Sequence, residues 1–163
     1  DSYHRLTHLP EPEYKTVSVP ALFTKLERLL QAEPRSERVV YCDGKADKST
    51  GKELQVYGDA NLLTLALINL IRNALQAVEG QEDGIVRVDT CAGATGHLLI
   101  TITDNGPGIP PERLSAIFTP FFSTKSGGSG IGLPISQRIM QLHGGQLSVS
   151  SIPNVRTEFR MEF

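Results

Sequence analysis

With 163 residues, 39% of them apolar and 21% charged, the chain has the size and balance of one folded domain able to bury a core. A net charge of −2 and a pI near 6.1 exclude a broad basic field, so neither nucleic acid nor an anionic membrane is an expected partner. No apolar run reaches the roughly 18–20 residues that a spanning helix needs, and the opening DSYHRLTHLPEPEYK has neither a signal core nor a cleavage pattern. The segment is therefore expected to be soluble and cytoplasmic.

Asp1 is not an initiator methionine, and residues 1–13 are expected to be the tail of an upstream segment, with the domain proper over 14–163. KTVSV then alternates like a strand. PALFTKLERLLQAE follows helical spacing through Leu22, Leu26, Leu29 and Leu30, with Pro20 at its start. ERVVYCDG and ELQVYGD are short β-like runs around a polar connection, a pattern that predicts a hairpin with a loose loop. A long helix follows from Asn61 to Val78, about 27 Å at 1.5 Å per residue. GIVRVDTCA and HLLITITDN, joined by GATG, read as an antiparallel pair. The stretch from Asn105 to Gly132, rich in Gly, Pro, Ser and Thr, is too long for a casual connection, and such loops are usually functional or mobile. The end reads as the helix LPISQRIMQLH, a stop at Gly144 and Gly145, and the strands QLSVSSI and TEFRMEF. The sum is α+β, a two-layer sandwich with one mixed, mostly antiparallel sheet and helices on one face. Cys42 and Cys91 lack CxxC spacing and read as reduced strand residues.

Four stretches carry candidate chemistry. On the long helix Asn69, Asn73 and Gln76 follow i, i+4 and i+3 spacing and form one polar stripe on an otherwise largely aliphatic helix. A buried amide without partners costs about 1–3 kcal/mol, so the stripe must meet either neighbouring backbone or a ligand cavity, where an amide oxygen can hold a hard cation such as Mg²⁺. DNGPGIP, from Asp104, leaves a strand directly. Its carboxylate can accept from an exocyclic amine, and Gly106 and Gly108 allow close backbone approach. GGSGIGLPIS opens into a helix at about Gly132, where free N–H groups and the helix dipole suit an anion such as phosphate. In IFTPFFSTK, between these, Phe118, Phe121 and Phe122 are expected to pin the base of the loop to the core or a partner, and Lys125 can reach a phosphate when the loop closes. Read singly, each has a bland alternative, namely a solvated turn or side chain.

The order of the four stretches resembles the N, G1, F and G2 boxes of the ATP-binding domain of sensor histidine kinases, in the GHKL superfamily shared with gyrase, the Hsp90 chaperones and MutL. GDANLLTLALINLIRNALQAV matches the N box, DNGPGI the G1 box, FTPFFSTK the F box and GGSGIGLPIS the G2 box, and QLHGGQLSVSS matches the segment that follows. The resemblance covers about Val17 to Phe163 and implies a Bergerat fold with a mobile ATP lid. It implies ATP and Mg²⁺ as cofactors, with Asn73 giving its oxygen to Mg²⁺ and Asn69 beside it near the phosphates. Asp104 would receive the adenine amino group, with Thr157 in the same network and Gly106 and Gly108 shaping the pocket. Gly128, Gly130 and Gly132 would let the lid and helix start wrap the phosphates, with Lys125 and Ser123 or Thr124 as lid contacts. Ile109, Phe118, Ile131 and Leu133, within the same boxes, count as nucleotide-contacting positions.

Hydrolytic relatives place Glu four residues before the magnesium Asn, as a general base. Here that position is Asn69, an amide that takes no proton at neutral pH, which favours transfer of the γ-phosphoryl group to a histidine over hydrolysis. The resemblance thus implies a protein histidine kinase, with Asn69, Asn73 and Lys125 as its catalytic residues. The alternatives are a GHKL-type ATPase and a nucleotide-binding regulatory module without transfer. The acceptor must lie elsewhere, because His4 and His8 in YHRLTHLP lack the H-box pattern. Residues 1–13 then read as the end of the dimerisation-histidine hairpin, and His97 and His143 as surface or helix-end residues. Implied partners are the dimerisation-histidine domain of the same protein and a response regulator; the fragment is expected to be monomeric and free of membrane contact, and the parent can be anchored in the inner membrane. Two positions depart from the family. Gln76 stands where many relatives carry Lys or Arg, a contact that Arg72 or Lys125 can replace, and Arg156 replaces the Gly before Thr157.

Overall fold

A computed structural model describes residues 8–43, 50–93, 97–122 and 130–163. Strand β1 (Lys15–Ser18) runs into helix α1 (Val19–Leu30), whose start is fixed by Pro20 in the first turn and by the Ser18 hydroxyl accepting from the Ala21 N–H at 3.2 Å. After a 3-10 turn at Ser36–Arg38 come β2 (Val39–Asp43) and β3 (Gln55–Gly58). The long helix α2 (Ala60–Ala77) leads to β4 (Val86–Ala92) and β5 (Leu98–Asp104), then a short helix α3 (Pro111–Leu114). Helix α4 (Gly132–Leu142) and strands β6 (Gln146–Ile152) and β7 (Arg156–Glu162) complete the domain.

Five strands form the main sheet in the order β2-β4-β5-β7-β6, antiparallel except for the β2–β4 pair. Its inner face carries Val86, Val88, Ile100, Ile102, Phe159 and Met161, all at most 1% exposed, beneath the helices. The opposite face is polar: Arg87, Asp89, Thr101 and Arg160 are partly or fully exposed there. One face apolar and covered, one polar and open, is the pattern expected of a two-layer sandwich. Among the described residues no helix is long and apolar enough to cross a membrane.

The hairpin expected of ERVVYCDG and ELQVYGD does not form. β2 lies parallel to β4, from Val39 opposite Val86 to Asp43 opposite Thr90, whereas β3 pairs antiparallel with β1 in a separate two-stranded sheet. Proximity in sequence favours a hairpin, but the intervening α2 supplies the long crossover that a parallel pair needs. In this register Tyr41 turns toward the core and meets Phe23 of α1 edge-on, with ring centres 6.2 Å apart. Burial, with the Glu27 carboxylate nearby, pushes its hydroxyl up to about 12, so it stays neutral at any ordinary pH. Cys42 and Cys91 are free thiols on β2 and β4.

Helix α2 is capped by Asp59, whose Oδ1 accepts from the N–H groups of Asn61 and Leu62 at 2.9 and 3.0 Å and whose Oδ2 accepts from the Glu13 N–H at 2.8 Å. The Asp59 N–H donates to His143 Nε2 at 2.9 Å, so the imidazole carries its proton on Nδ1, 2.7 Å from the Ile139 carbonyl. His143 is indeed a helix-end residue, and it ties the end of α4 to the start of α2. Tyr14 adds an edge-on ring contact to His143 and a hydrogen bond from its hydroxyl to the Leu142 carbonyl. Burial pushes the Asp59 carboxyl up, but the three backbone donors and His143 outweigh it and hold the group below its ordinary value.

Asp59→Ala is expected to cost about 1–2 kcal/mol in urea unfolding, as the loss of a helix cap does. Because the folded carboxyl titrates lower than the unfolded one, its stabilising share is complete above the ordinary value of 3.8 and is lost as pH falls through the folded value. The stability difference between wild type and Asp59→Asn, measured near neutrality, should therefore shrink on acidification below that value.

Candidate functional site

The sheet and helices leave a cleft of about 700 Å³ between α2, the loop after β5, the β6–β7 turn and the start of α4. α2 contributes Asn69, Arg72, Asn73, Gln76 and Ala77 to its wall. These positions follow from helical geometry: Leu67, Leu70, Ile71 and Ala74, at most 2% exposed, take the core side, and the residues between them face the opening. The amide stripe thus faces a cavity, and Asn69 also meets neighbouring backbone, so both readings of the sequence apply at this helix. Asn69 Nδ2 donates across the cleft to the Gly132 carbonyl at 3.4 Å, and Arg72 is held at the rim by Glu33, its Nε donating at 2.7 Å and its Nη2 bonding the same oxygen.

β5 ends at Asp104, only 2% exposed, whose Oδ1 accepts from the Gly106 N–H at 2.9 Å. Directly opposite on β7 is Thr157, which lines the cleft. The loop then turns at Gly108, whose φ of +76° puts it in the left-handed region. A Cβ here would also lie 2.9 Å from the Ile152 carbonyl oxygen and the Pro153 Cα. Glycine is therefore doubly required. Pro107, Ile109, Pro110, Arg113 and Ile117 also line the cleft.

At the other end, α4 begins at Gly132 behind Ile131, and among the described residues no side chain caps its first turn. Gly132 and Leu133 line the cleft, and Ser136 Oγ donates to the Gly132 carbonyl at 2.9 Å. Gly130, with φ +68°, lies against the backbone of Phe121, and its carbonyl accepts from the Phe121 N–H at 2.9 Å. The aromatic expectation holds for two rings. Phe118 packs edge-on to Phe159 at 6.5 Å and Phe122 packs on the core and lines the cleft. Phe121 departs from it, being 54% exposed with φ +65°, because the close approach of Gly130 turns its side chain outward.

Of the positions predicted from sequence, Asn69, Asn73, Gly108, Ile109, Gly130, Gly132, Leu133 and Thr157 line the cleft together. Asp104, Gly106, Phe118 and Ile131 do not line it, and Ser123, Thr124, Lys125 and Gly128 lie outside the described residues. The sequence reading missed Arg113, Pro153, Asn154 and the supporting Ser151. The Pro-Asn pair between two strands is a turn signal that could have been used: Asn154 has φ +61°, and its N–H donates to the Pro107 carbonyl at 2.7 Å.

An α+β sandwich whose cleft sets an amide-bearing helix against a glycine-rich helix start is a nucleotide-binding architecture. The chain belongs to the family described as Histidine kinase-, DNA gyrase B-, and HSP90-like ATPase, which matches residues 58–163. It is 43% identical over 98 residues to the sensor histidine kinase ZraS of Salmonella typhimurium, covering 60% of this chain and 21% of that protein. It is 34% identical to the sensory histidine kinase/phosphatase NtrB of Vibrio alginolyticus, covering 94% of this chain and 45% of that one. The chain thus spans less than half the length of these relatives. Among solved structures, the catalytic domain of the histidine kinase ThkA superposes with a TM-score of 0.72 at 27% identity, over 92% of this chain and 95% of that one. The fold is that of a histidine-kinase-type ATPase domain, and ATP binding goes with it.

Gly108→Ala should destabilise the domain by about 1–3 kcal/mol, since the substitution meets both a left-handed backbone and close backbone neighbours. The shift in urea midpoint at unchanged m-value measures it.

Proposed function

We propose that the chain is the catalytic ATP-binding domain of a two-component sensor histidine kinase and passes the γ-phosphoryl group of Mg-ATP to a histidine on a dimerisation domain of the same parent protein. The observation that carries this reading is Asn69. It is an amide on the cleft wall, bonded to the carbonyl at the start of α4, where activation of water would call for a carboxylate. The names of the relatives point the same way. A response regulator would take the phosphoryl group onward, and residues 14–163 would form the catalytic unit, with 1–13 as the tail of the upstream hairpin. The ties of Tyr14 to Leu142 and His143 support counting it within the unit. The unit would work in the cytoplasm.

The donor set fits a nucleotide and its cation. Asn73 brings a hard amide oxygen to the same wall as Asn69, suited to Mg²⁺, which takes few protein ligands and keeps water and phosphate for the rest. When bound, the ion neutralises the developing charge on the phosphate oxygens. The first-turn N–H groups of α4, an eleven-residue helix without a side-chain cap, would meet phosphate oxygens along the helix dipole. Thr124, Lys125 and Gly128 would belong to the lid over them. Asp104 would accept from the adenine amine at the buried end, with Gly106 and Gly108 holding the loop close. In the transfer, the bond from the γ-phosphorus to the bridging oxygen breaks as the bond to the imidazole nitrogen forms, and ADP leaves. The chain's contribution is alignment and charge complementarity.

Labelled ATP and Mg²⁺ should transfer phosphate to the parent's dimerisation-histidine segment supplied in trans, and Asn73→Ala should abolish the transfer. Label that stays on tightly bound ATP, or that appears only as free phosphate, would remove the kinase reading. Thermal stabilisation by ATP at about 100 times Kd should be worth about 2.7 kcal/mol in wild type, and Asp104→Asn should lose most of it. Equal shifts in the two proteins would take Asp104 out of the base site.

A further inference from the structure

Ser151 lies on β6 outside the cleft wall, half-buried, and three elements meet at its hydroxyl. Its Oγ accepts from the Ile109 N–H at 2.8 Å, donates to the Arg156 carbonyl at 3.1 Å, and lies 3.2 Å from Thr157 Oγ1. A hydroxyl has one proton. An amide N–H can only donate and a carbonyl can only accept, so the Ser151 proton goes to Arg156. The contact with Thr157 must then be completed by the proton of Thr157. That hydroxyl gives its hydrogen to Ser151 and keeps only lone pairs to offer elsewhere.

Thr157 lines the cleft and stands directly opposite Asp104 across the β5–β7 pair, a spacing of about 5 Å between Cβ atoms in such pairs. Two acceptors, a carboxylate and a hydroxyl already committed as donor, then sit side by side at the buried end. Any ligand group brought there must supply hydrogens. An exocyclic amine carries two, whereas a 6-oxo group carries none and would set its lone pairs against theirs.

We propose that Ser151 is a positioning residue that fixes the hydrogen-bond polarity of Thr157, and that it thereby makes the cleft select a 6-aminopurine over a 6-oxopurine nucleotide. The assignment rests on the reading of the cleft as a nucleotide site. Ser151 touches no ligand; it acts through Thr157 and through the loop at Ile109. Loss of its hydroxyl frees the Thr157 proton to turn toward the cleft and donate to a 6-oxo oxygen.

The test compares ATP with ITP, which carries the 6-oxo group, by calorimetric titration of the whole chain in Mg²⁺. Wild type should prefer ATP, and Ser151→Ala should narrow that preference by about tenfold, the scale expected when one buried polar group changes its pairing. Thr157→Val should narrow it similarly, and the double variant should show no further change, because both act through one hydroxyl. Ser151→Thr, which keeps the hydroxyl, should retain the wild-type ratio. Thermal melts of each free protein separate folding from selectivity, and the Thr157 variant serves if Ser151→Ala does not fold. An unchanged ATP-to-ITP ratio in Ser151→Ala, or in Thr157→Val where that variant stands in, would overturn the assignment and leave the nucleotide reading intact. A wild-type chain that binds neither nucleotide would overturn both.

Discussion

The rotation of α2 about its own axis is the constraint on which the site depends. Leu63, Leu67, Leu70, Ile71 and Ala74, at most 2% exposed, recur at three- and four-residue spacing and fix which side of the helix meets the sheet. Asn69 and Asn73 sit immediately beside this stripe on the helical wheel, so the packing that buries the leucines also aims the amides. A slip of one residue, about 100° on a helix, would drive both amides into the core at about 1–3 kcal/mol each and expose leucine in exchange. The hydrophobic effect thus does the aiming.

The second requirement is that the start of α4 lie beside Asn69, and two contacts set this distance. His143, at the end of α4, is bonded to the Asp59 N–H at the start of α2, and Gly132, at the beginning of α4, meets Asn69 in the middle of it. The helices therefore run antiparallel. Eleven residues of α4 span about 16 Å, and the ten steps from Asp59 to Asn69 span about 15 Å at the same rise, so the two paths match in length. Ser136 reinforces the match by donating to Gly132, with the Ala66 carbonyl also within 3.4 Å of its hydroxyl. The knot at Asp59, Tyr14 and His143 lies at the far end of α4 from the cleft, yet it sets where the first-turn N–H groups of α4 begin.

What could be read from sequence follows the range over which each signal acts. The three long helices announced themselves by periodicity, and the β4–β5 pair by its short loop, because both signals are local. The pairing of β2 was misread, since a parallel partner is chosen by the crossover and the core and leaves no mark at the strand itself. Asn69, Asn73 and Thr157 were legible through spacing and motif order. Ser151 was not, because its role depends on three atoms from Ile109, Arg156 and Thr157 that only the fold brings to one point. His143 shows the same limit: its place at a helix end was readable, but its bond to Asp59 spans 84 residues.

Asn69 also meets a condition set by the cleft itself. Its Nδ2 donates to the carbonyl of Gly132, the first residue of α4. A carboxylate at this position has no hydrogen to give and would face that carbonyl with like partial charge, repelling the start of α4. With an amide, the wall can stay in contact with α4 whether or not a reaction is under way. Asn69 thus joins the two helices at the position where the proposed function would otherwise call for a base.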